Sequence, residues 1–526
     1  MPRKNTPRKN ALVRLVSAVL MLIVLFSFCA FGAAAKKPAL SRTSVTMETG
    51  GRKTISLKNI SGKLTGKVKW SVSGKQLITV TPGGKNHQKV TIRAGSAPGT
   101  CTLVAKAVIT RSGKKTFRCK VKVKKAGAFQ EQEISGKSVD CTQEIAKSKT
   151  SGKKTDSAFT LAMAKASVSL LQEVLKDTKE NENVLISPDS VLTALSLAES
   201  GASGATLSEM EKALGGISAK KYRQYLLTLH KRLTKEKAMT YKVANSVWYR
   251  KNKIRIKSSY LKDAVNYFDA QIYSAPFNSG TVSDMNAWAY NHTNGKIRKI
   301  ISQLESTDRL VLLNAIYFKG SWADPYVSTV TRDFTRESGG KQSVPMLEGT
   351  EKTYVTVNGA EGFVKPYSGG QTAFLGLLPP EGMSAKEFAA SLTGKDLADA
   401  YRNRITKNIL VRTRMPEFRY EYTVSLQKAV QNMGIRKAFS GSAAFRKMTS
   451  DQVNIDEILH KTFIDLNKDG TEAAAVTAIL MKATAVFPPE QPQIKEVYLD
   501  RPFVYAIIDV TSGIPLFLGV VNSVPS

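Results

Sequence analysis

Side chains able to drive a reaction are few and scattered in this 526-residue sequence. It has four histidines, His87, His230, His292 and His460, and four cysteines, Cys29, Cys101, Cys119 and Cys141. None of them sits in an HExxH, GxSxG, P-loop or dinucleotide-binding pattern, the arrangements that would place a metal, a nucleophile or a phosphate. No CxxC or Cys/His spacing suggests a set of metal ligands. Asp and Glu are dispersed without a pairing suited to acid–base work. The glycine-rich stretch Gly201-Ala202-Ser203-Gly204-Ala205-Thr206 lies between two predicted helices rather than after a strand, the wrong setting for a phosphate cradle. Nothing in these residues argues for an enzyme, a metal or a cofactor, and none is expected.

The elements that must position any functional residue are partitioned by charge. Residues 1–155 carry 32 Lys and Arg against 5 Asp and Glu, and the remainder carries 46 against 37, so the net charge of +36 is concentrated at the front. Apolar residues make up 42% and charged residues 23%, the balance of a globular chain rather than a disordered one. Met1 to Ala35 reads as an export signal. Arg3, Lys4, Arg8, Lys9 and Arg14 form its basic start, Leu15 to Phe31 its apolar stretch, and Gly32-Ala33-Ala34-Ala35 its cleavage region. About 17 apolar residues also just span a bilayer, so retention as an anchor stays open. The rest is expected to be extracellular, secreted or held at the cell surface. Cys29 leaves with the signal, and the three cysteines that remain allow at most one internal bridge. Cys101 with Cys119 is left open.

Residues 36–125 alternate apolar and polar side chains between turn signals, the pattern of a small β-sandwich. Strands are predicted at Ser44–Met47, Thr54–Leu57, Val68–Val72, Ile78–Val80, Lys89–Arg93, Thr102–Ile109 and Thr116–Val123. The run Val68-Lys69-Trp70-Ser71-Val72, then Ile78-Thr79-Val80 and Ala97-Pro98-Gly99-Thr100, resembles the bacterial Ig-like repeats of surface proteins. Its Lys and Arg residues fall on solvent faces, either simply solvated or drawn to an anionic surface such as a phosphate-rich cell-wall polymer. Nucleic acid is not expected, because few aromatic residues are interleaved with the basic ones.

Residues 126–155 lack periodicity and read as a linker. From Asp156 the composition changes. Phe159, Met163, Ala166, Leu170, Val174 and Leu175 fall at helical spacing. Ser187-Pro188 supplies a cap and a first-turn proline for a second helix ending at Gly201. Thr206 and Glu209 suggest a capping box for a third, closed by Gly215. Apolar runs at Val311–Phe318, Ala373–Leu378, Phe503–Val510 and Leu516–Val521 alternate with helical patterns such as Thr423–Met433. Residues 156–526 thus read as one large α+β domain.

This second part resembles the serpin family throughout. The resemblance rests on Asn183-Val184-Leu185-Ile186-Ser187-Pro188-Asp189-Ser190, Ala244-Asn245-Ser246-Val247-Trp248, and Asn286-x-Trp288 with Thr293-x-Gly295-Lys296-Ile297. It continues through Leu313-Asn314-Ala315-Ile316-Tyr317-Phe318-Lys319-Gly320-x-Trp322, Met415-Pro416-Glu417-Phe418, Asp500-Arg501-Pro502-Phe503 and Leu516-Phe517-Leu518-Gly519. It implies the serpin fold, with three β-sheets, about nine helices and an exposed reactive-centre loop. It also implies a single-use inhibitor of serine or cysteine proteases whose cleaved loop enters the central sheet.

The implied hinge is Gly470-Thr471-Glu472-Ala473-Ala474-Ala475-Val476-Thr477. Strand side chains alternate, so Thr471, Ala473, Ala475 and Thr477 would face into the closing sheet, and all are small and uncharged. Lys468 stands where the family usually has Glu. The resemblance carries the "shutter" onto Ser187, Ser190, Asn314 and His460, and the "breach" onto Trp322. The scissile bond, usually fourteen residues beyond the hinge glycine, falls at Thr484-Ala485, with Ala485-Val486 and Lys482-Ala483 as alternatives. Thr suits an elastase-like or subtilisin-like target. Lys220, Lys221, Arg223, Lys231, Arg232, Lys235 and Lys237 lie where some serpins bind acidic polysaccharide, and read here as a solvated helix face. The rival readings are a non-inhibitory serpin and a surface adhesin; the chain is expected to be a monomer.

Overall fold

The computed structural model describes residues 37–526 apart from 61–63, 96, 111, 125–129, 473–491 and 526. The expected signal at Met1–Ala35 lies outside these residues. The chain divides into two compact units, Met1–Lys125 and Ala126–Ser526.

The first unit is all β. Its strands are β1 (Ala39–Leu40), β2 (Ser44–Glu48), β3 (Arg52–Lys58), β4 (Lys69–Gly74), β5 (Ile78–Gly83), β6 (Lys89–Ala94), β7 (Gly99–Ile109) and β8 (Gly113–Lys124). Two four-stranded sheets result, β1-β3-β6-β5 and β2-β8-β7-β4. Every predicted strand is present, because alternation is strict: in β8, Cys119, Val121 and Val123 point inward while Arg118, Lys120, Lys122 and Lys124 are exposed. Ile55, Val90, Ile92, Leu103, Cys119 and Val121 belong to one core shared by both sheets. Cys101 pairs in register with Val121, and Cys119 with Leu103. The two cysteines are therefore diagonal neighbours, a separation of about 7–8 Å that a disulfide does not bridge. Both are free and buried.

The second unit has three sheets. One runs β10 (Val184–Ile186), β25 (Pro515–Val521), β24 (Phe503–Asp509), β18 (Thr372–Leu378), β17 (Ala360–Pro366) and β16 (Tyr354–Val357). A second runs β14 (Thr329–Thr335), β15 (Lys341–Glu351), β19 (Ile409–Pro416) and β23 (Gln493–Tyr498). The largest runs β20 (Phe418–Ser425), β21 (Leu459–Asn467), β22 (Gly470–Thr471), β13 (Leu310–Ser321), β11 (Met239–Arg250), β12 (Gln271–Ala275) and β9 (Val139–Asp140). Among the described residues the helices are α1 (Ser157–Lys176), α2 (Pro188–Gly201), α3 (Gly204–Ala213), α4 (Ala219–Thr234), α5 (Ser258–Phe268), α6 (Ser279–His292), α7 (Ala385–Ser391), α8 (Gly394–Arg402) and α9 (Gln427–Asn432). Most of these elements share a large core, in which α1 buries Phe159, Met163, Ala166, Leu170, Val174 and Leu175, while α6 packs a separate cluster that includes Trp248, Tyr273 and Trp288. Strands β24 and β25 are buried along their whole length, which is why they read as unbroken apolar runs.

Three local expectations are corrected. Within the segment expected as a linker, residues 130–155 pack onto the rest of the second unit. Its β9 adds to the edge of β12, Gly136 N donates to Asp284 Oδ1 at 2.7 Å, and Ser148 N donates to Asn266 Oδ1 at 2.7 Å. Such bonds need no apolar periodicity, so the pattern of the segment concealed them. Helix α3 begins at Gly204, before the predicted capping box. Thr206 Oγ1 instead accepts from Ala444 N at 3.0 Å, and Glu209 accepts from the backbone of Arg436 and Lys437. Thr423–Met433 is the end of β20 followed by the short α9, not one helix.

Candidate functional site

The largest sheet contains a gap. Strand β22, two residues long, pairs only with Leu466 and Asn467 of β21 on one side and with Gly320 and Ser321 of β13 on the other. Among the described residues, β13 and β21 have no register with each other. Among the described residues, the facing edge of β13 from Leu310 to Lys319 therefore has no strand neighbour, over about ten residues or roughly 33 Å. A slot one strand wide results, with β22 at its mouth.

The polypeptide enters the mouth at Gly470 and adopts unusual backbone conformations there. Gly470 has φ +145° and Glu472 φ +55°, both in the range that favours glycine. Thr471 between them is buried, and its Oγ1 lies 2.7 Å from the hydroxyl of Tyr367. The Tyr367 ring stacks on Trp322 with centroids 4.5 Å apart. Trp322 Nε1 donates to the Asn467 carbonyl at 2.9 Å, and its backbone N–H donates to the Asp469 carbonyl at 3.0 Å. Trp322 thus ties the end of β13 to the end of β21, where the sequence placed the breach. Gly320 supplies room for this stack, since a Cβ there would lie 2.9 Å from Tyr367 Cδ1.

Glu472 follows directly after β22. Its carboxylate is buried and meets Lys296 Nζ at 2.9 Å. Burial raises its pKa, with Lys296 and Tyr317 acting in the opposite direction. Lys296 also sits over the Phe463 ring of β21, 4.9 Å from its centroid. Lys468 pairs with Asp469 at 2.7 Å.

Halfway along the slot, the start of α2 holds both lips from beneath. Ser187 N donates to His460 Nε2 on β21 at 2.9 Å, and Ser190 Oγ donates to Asn314 Oδ1 on β13. Asn314 Nδ2 donates to Asn245 Oδ1 on β11 at 2.8 Å, and Asn245 Nδ2 donates to the Phe268 carbonyl at 2.9 Å. Ser187 Oγ accepts from Ser190 N, which caps α2, and donates to the Leu516 carbonyl at 2.8 Å. Burial lowers the His460 pKa to about 4, so the ring is neutral and Nε2 is free to accept. The buried Asp189 carboxylate anchors the same helix, accepting from Tyr241 OH at 2.5 Å and lying 2.9 Å from His230 Nε2.

All four residues expected beneath the slot, Ser187, Ser190, Asn314 and His460, therefore meet there, and Trp322 lies at its mouth. Asn245, Tyr367 and the Lys296–Glu472 pair were missed. Asn245 lies within a quoted motif but needed the β11–β13 register to reveal its partner. Thr484, Ala485 and the hinge residues Ala473, Ala474, Ala475, Val476 and Thr477 lie outside the described residues. The basic residues of α4 are partly committed: Arg223 pairs with Asp263 at 2.9 Å and Arg232 with buried Asp509 at 2.7 Å. Among the described residues no group of three or more His, Cys, Asp or Glu could hold a metal ion.

A family profile described as serpin (serine protease inhibitor) matches residues 161–524. Iripin-8 of Ixodes ricinus is 30% identical, over 69% of this chain and 93% of its own length. Neuroserpin of Gallus gallus is 28% identical, over 68% of this chain and 90% of its own. The native-state crystal structure of the thermophilic serpin tengpin superposes with a TM-score of 0.67 at 36% identity, covering 74% of this chain and all of tengpin. Its latent-state structure gives 0.62 at 34% identity. Thyroxine-binding globulin, solved with thyroxine, shares the fold at 23% identity. The match over most of the second unit, together with the gapped sheet, shows that the chain belongs to the serpin family.

Proposed function

We propose that this serpin is a secreted, single-use inhibitor of a serine protease, with a cysteine protease as a further target class. The observation that carries the reading is the slot, with β22 at its mouth; by strand parity an inserting hinge would turn Thr471, Ala473, Ala475 and Thr477 inward, all small and uncharged. The target's nucleophile attacks the Thr484 carbonyl, the Thr484–Ala485 amide breaks, and the proton passes to the departing Ala485 amine. The hinge then extends between β13 and β21 and carries the acylated protease away from its attack site. Closing the sheet satisfies backbone N–H and C=O groups along both lips, which makes insertion favourable and the intact form kinetically held.

Export rests on the Met1–Ala35 signal. The first unit is taken as an Ig-like module attaching the inhibitor to anionic cell-wall polymer, and the protein acts as a monomer. Incubation with subtilisin and with pancreatic elastase tests the reading. The expected product is a detergent-resistant complex, releasing a C-terminal peptide that begins at Ala485. Turnover of the loop without a complex would place the protein among non-inhibitory serpins.

A further inference from the structure

Seven basic residues of the first unit share one face of one sheet, against four (Arg52, Lys58, Lys89 and Arg93) on the outward positions of the other. On the outer face of the sheet β2-β8-β7-β4, Lys114, Arg118, Lys120, Lys122 and Lys124 project from β8, and all are exposed. Lys106 of β7 and Lys69 of β4 share that face and stand directly opposite each other in register. Like charges placed opposite one another across a ladder cost stability. Yet Glu48 is the only carboxylate carried by the described positions of this face, opposite Lys124.

Hydroxyls flank the cations row by row. Ser44, Lys120, Thr102 and Ser73 form one row, and Thr46, Lys122 and Thr100 form the next. Successive outward residues of a strand are about 6.8 Å apart, so Arg118 to Lys124 spans roughly 20 Å. A chain advances at most 3.3–3.6 Å over three backbone bonds, so a six-bond P–O–C–C–C–O–P repeat reaches roughly 7 Å. The two periods match. Trp70 and Phe117, the unit's aromatic residues on these strands, pack against the core, so the face has no platform on which nucleobases could stack.

The geometry points to this face as a binding surface for a linear polyol phosphate, its phosphates meeting the β8 cations and its hydroxyl oxygens meeting the Ser and Thr rows. The inference rests on the reading of the first unit as a wall-attachment module, and assigns that attachment to one face and one ligand chemistry.

The test measures binding of the full chain to immobilised poly(glycerol phosphate) from about 0.05 to about 0.5 M salt. Two charge-matched variants are compared. One carries Lys106→Ser, Arg118→Ser, Lys120→Ser and Lys122→Ser; the other carries Lys53→Ser, Lys58→Ser, Lys85→Ser and Lys89→Ser on other exposed surfaces. The first should bind at least about tenfold more weakly, with its salt dependence flattened by about three ions released. The second should stay within about threefold of the unaltered chain, and both should melt as it does. Equal losses in both variants would reduce the effect to net charge and overturn the assignment of the face. Tighter binding to single-stranded oligonucleotide than to the polyol phosphate would overturn the ligand. No binding by the unaltered chain to any polyanion would overturn the attachment reading itself.

Discussion

The Glu472 carboxylate meets the Lys296 ammonium 2.9 Å away, at the residue where the chain leaves the largest sheet. Tyr317 of β13 contributes to holding the same carboxylate, and Lys296 covers Phe463 of β21. The pair therefore stands at the mouth of the slot and holds Glu472 in its left-handed conformation. Extension of the hinge requires Glu472 to leave the left-handed region and to change its surroundings.

Lys296→Ala should loosen this hold. Removing one partner of a buried pair costs about 3–5 kcal/mol, and about 2 kcal/mol is expected here because the Lys296 side chain keeps 29% exposure. Amide hydrogen exchange at Thr471 and Glu472 should rise, and adding Glu472→Gln should recover most of the stability. Unchanged exchange would show that the pair does not restrain the hinge.

His460 gives a pH dependence of defined sign. Its folded pKa, about 4, lies below the ordinary 6.5 because the ring is buried. The contribution to stability is therefore present above pH about 6.5 and lost as pH falls through about 4, amounting to about 3 kcal/mol. Protonation at Nε2 removes the acceptor for Ser187 N and frees one lip of the slot. Melting curves from pH 7 to pH 4.5 should show the loss, and His460→Gln should flatten it. An equal slope in the variant would assign the loss to other groups.

Thr471→Arg should convert the inhibitor into a substrate. Thr471 is buried against Tyr367, and a guanidinium there would be desolvated at a cost of several kcal/mol. Cleavage of the loop should continue while the yield of covalent complex collapses. Retained stoichiometric inhibition would contradict the inward orientation assigned to this position.

Much of the framework was legible because it obeys local rules. Alternation marked β8, helical spacing marked α1, Ser187-Pro188 marked the start of α2, and unbroken apolar runs marked β24 and β25. Motifs likewise carried the residues under the slot. The unread features are those settled by partners distant in sequence. Thr206 and Glu209 carry the residue types of a cap but bind loops more than 200 positions away. Residues 130–155 dock through single hydrogen bonds, a two-residue strand and the isolated apolar residues Ile134, Cys141 and Ile145, which leave no periodic trace. Glu472 reads as part of an extended hinge, yet lies just past β22 in a left-handed conformation with its carboxylate on Lys296.

The central claim is that the slot between β13 and β21 is filled when the loop is cut, and thermal unfolding of intact and loop-nicked protein tests it most directly. The account predicts that the nicked protein melts at a sharply higher temperature, because the hinge becomes a fully paired central strand. Equal melting temperatures for the two forms would contradict it.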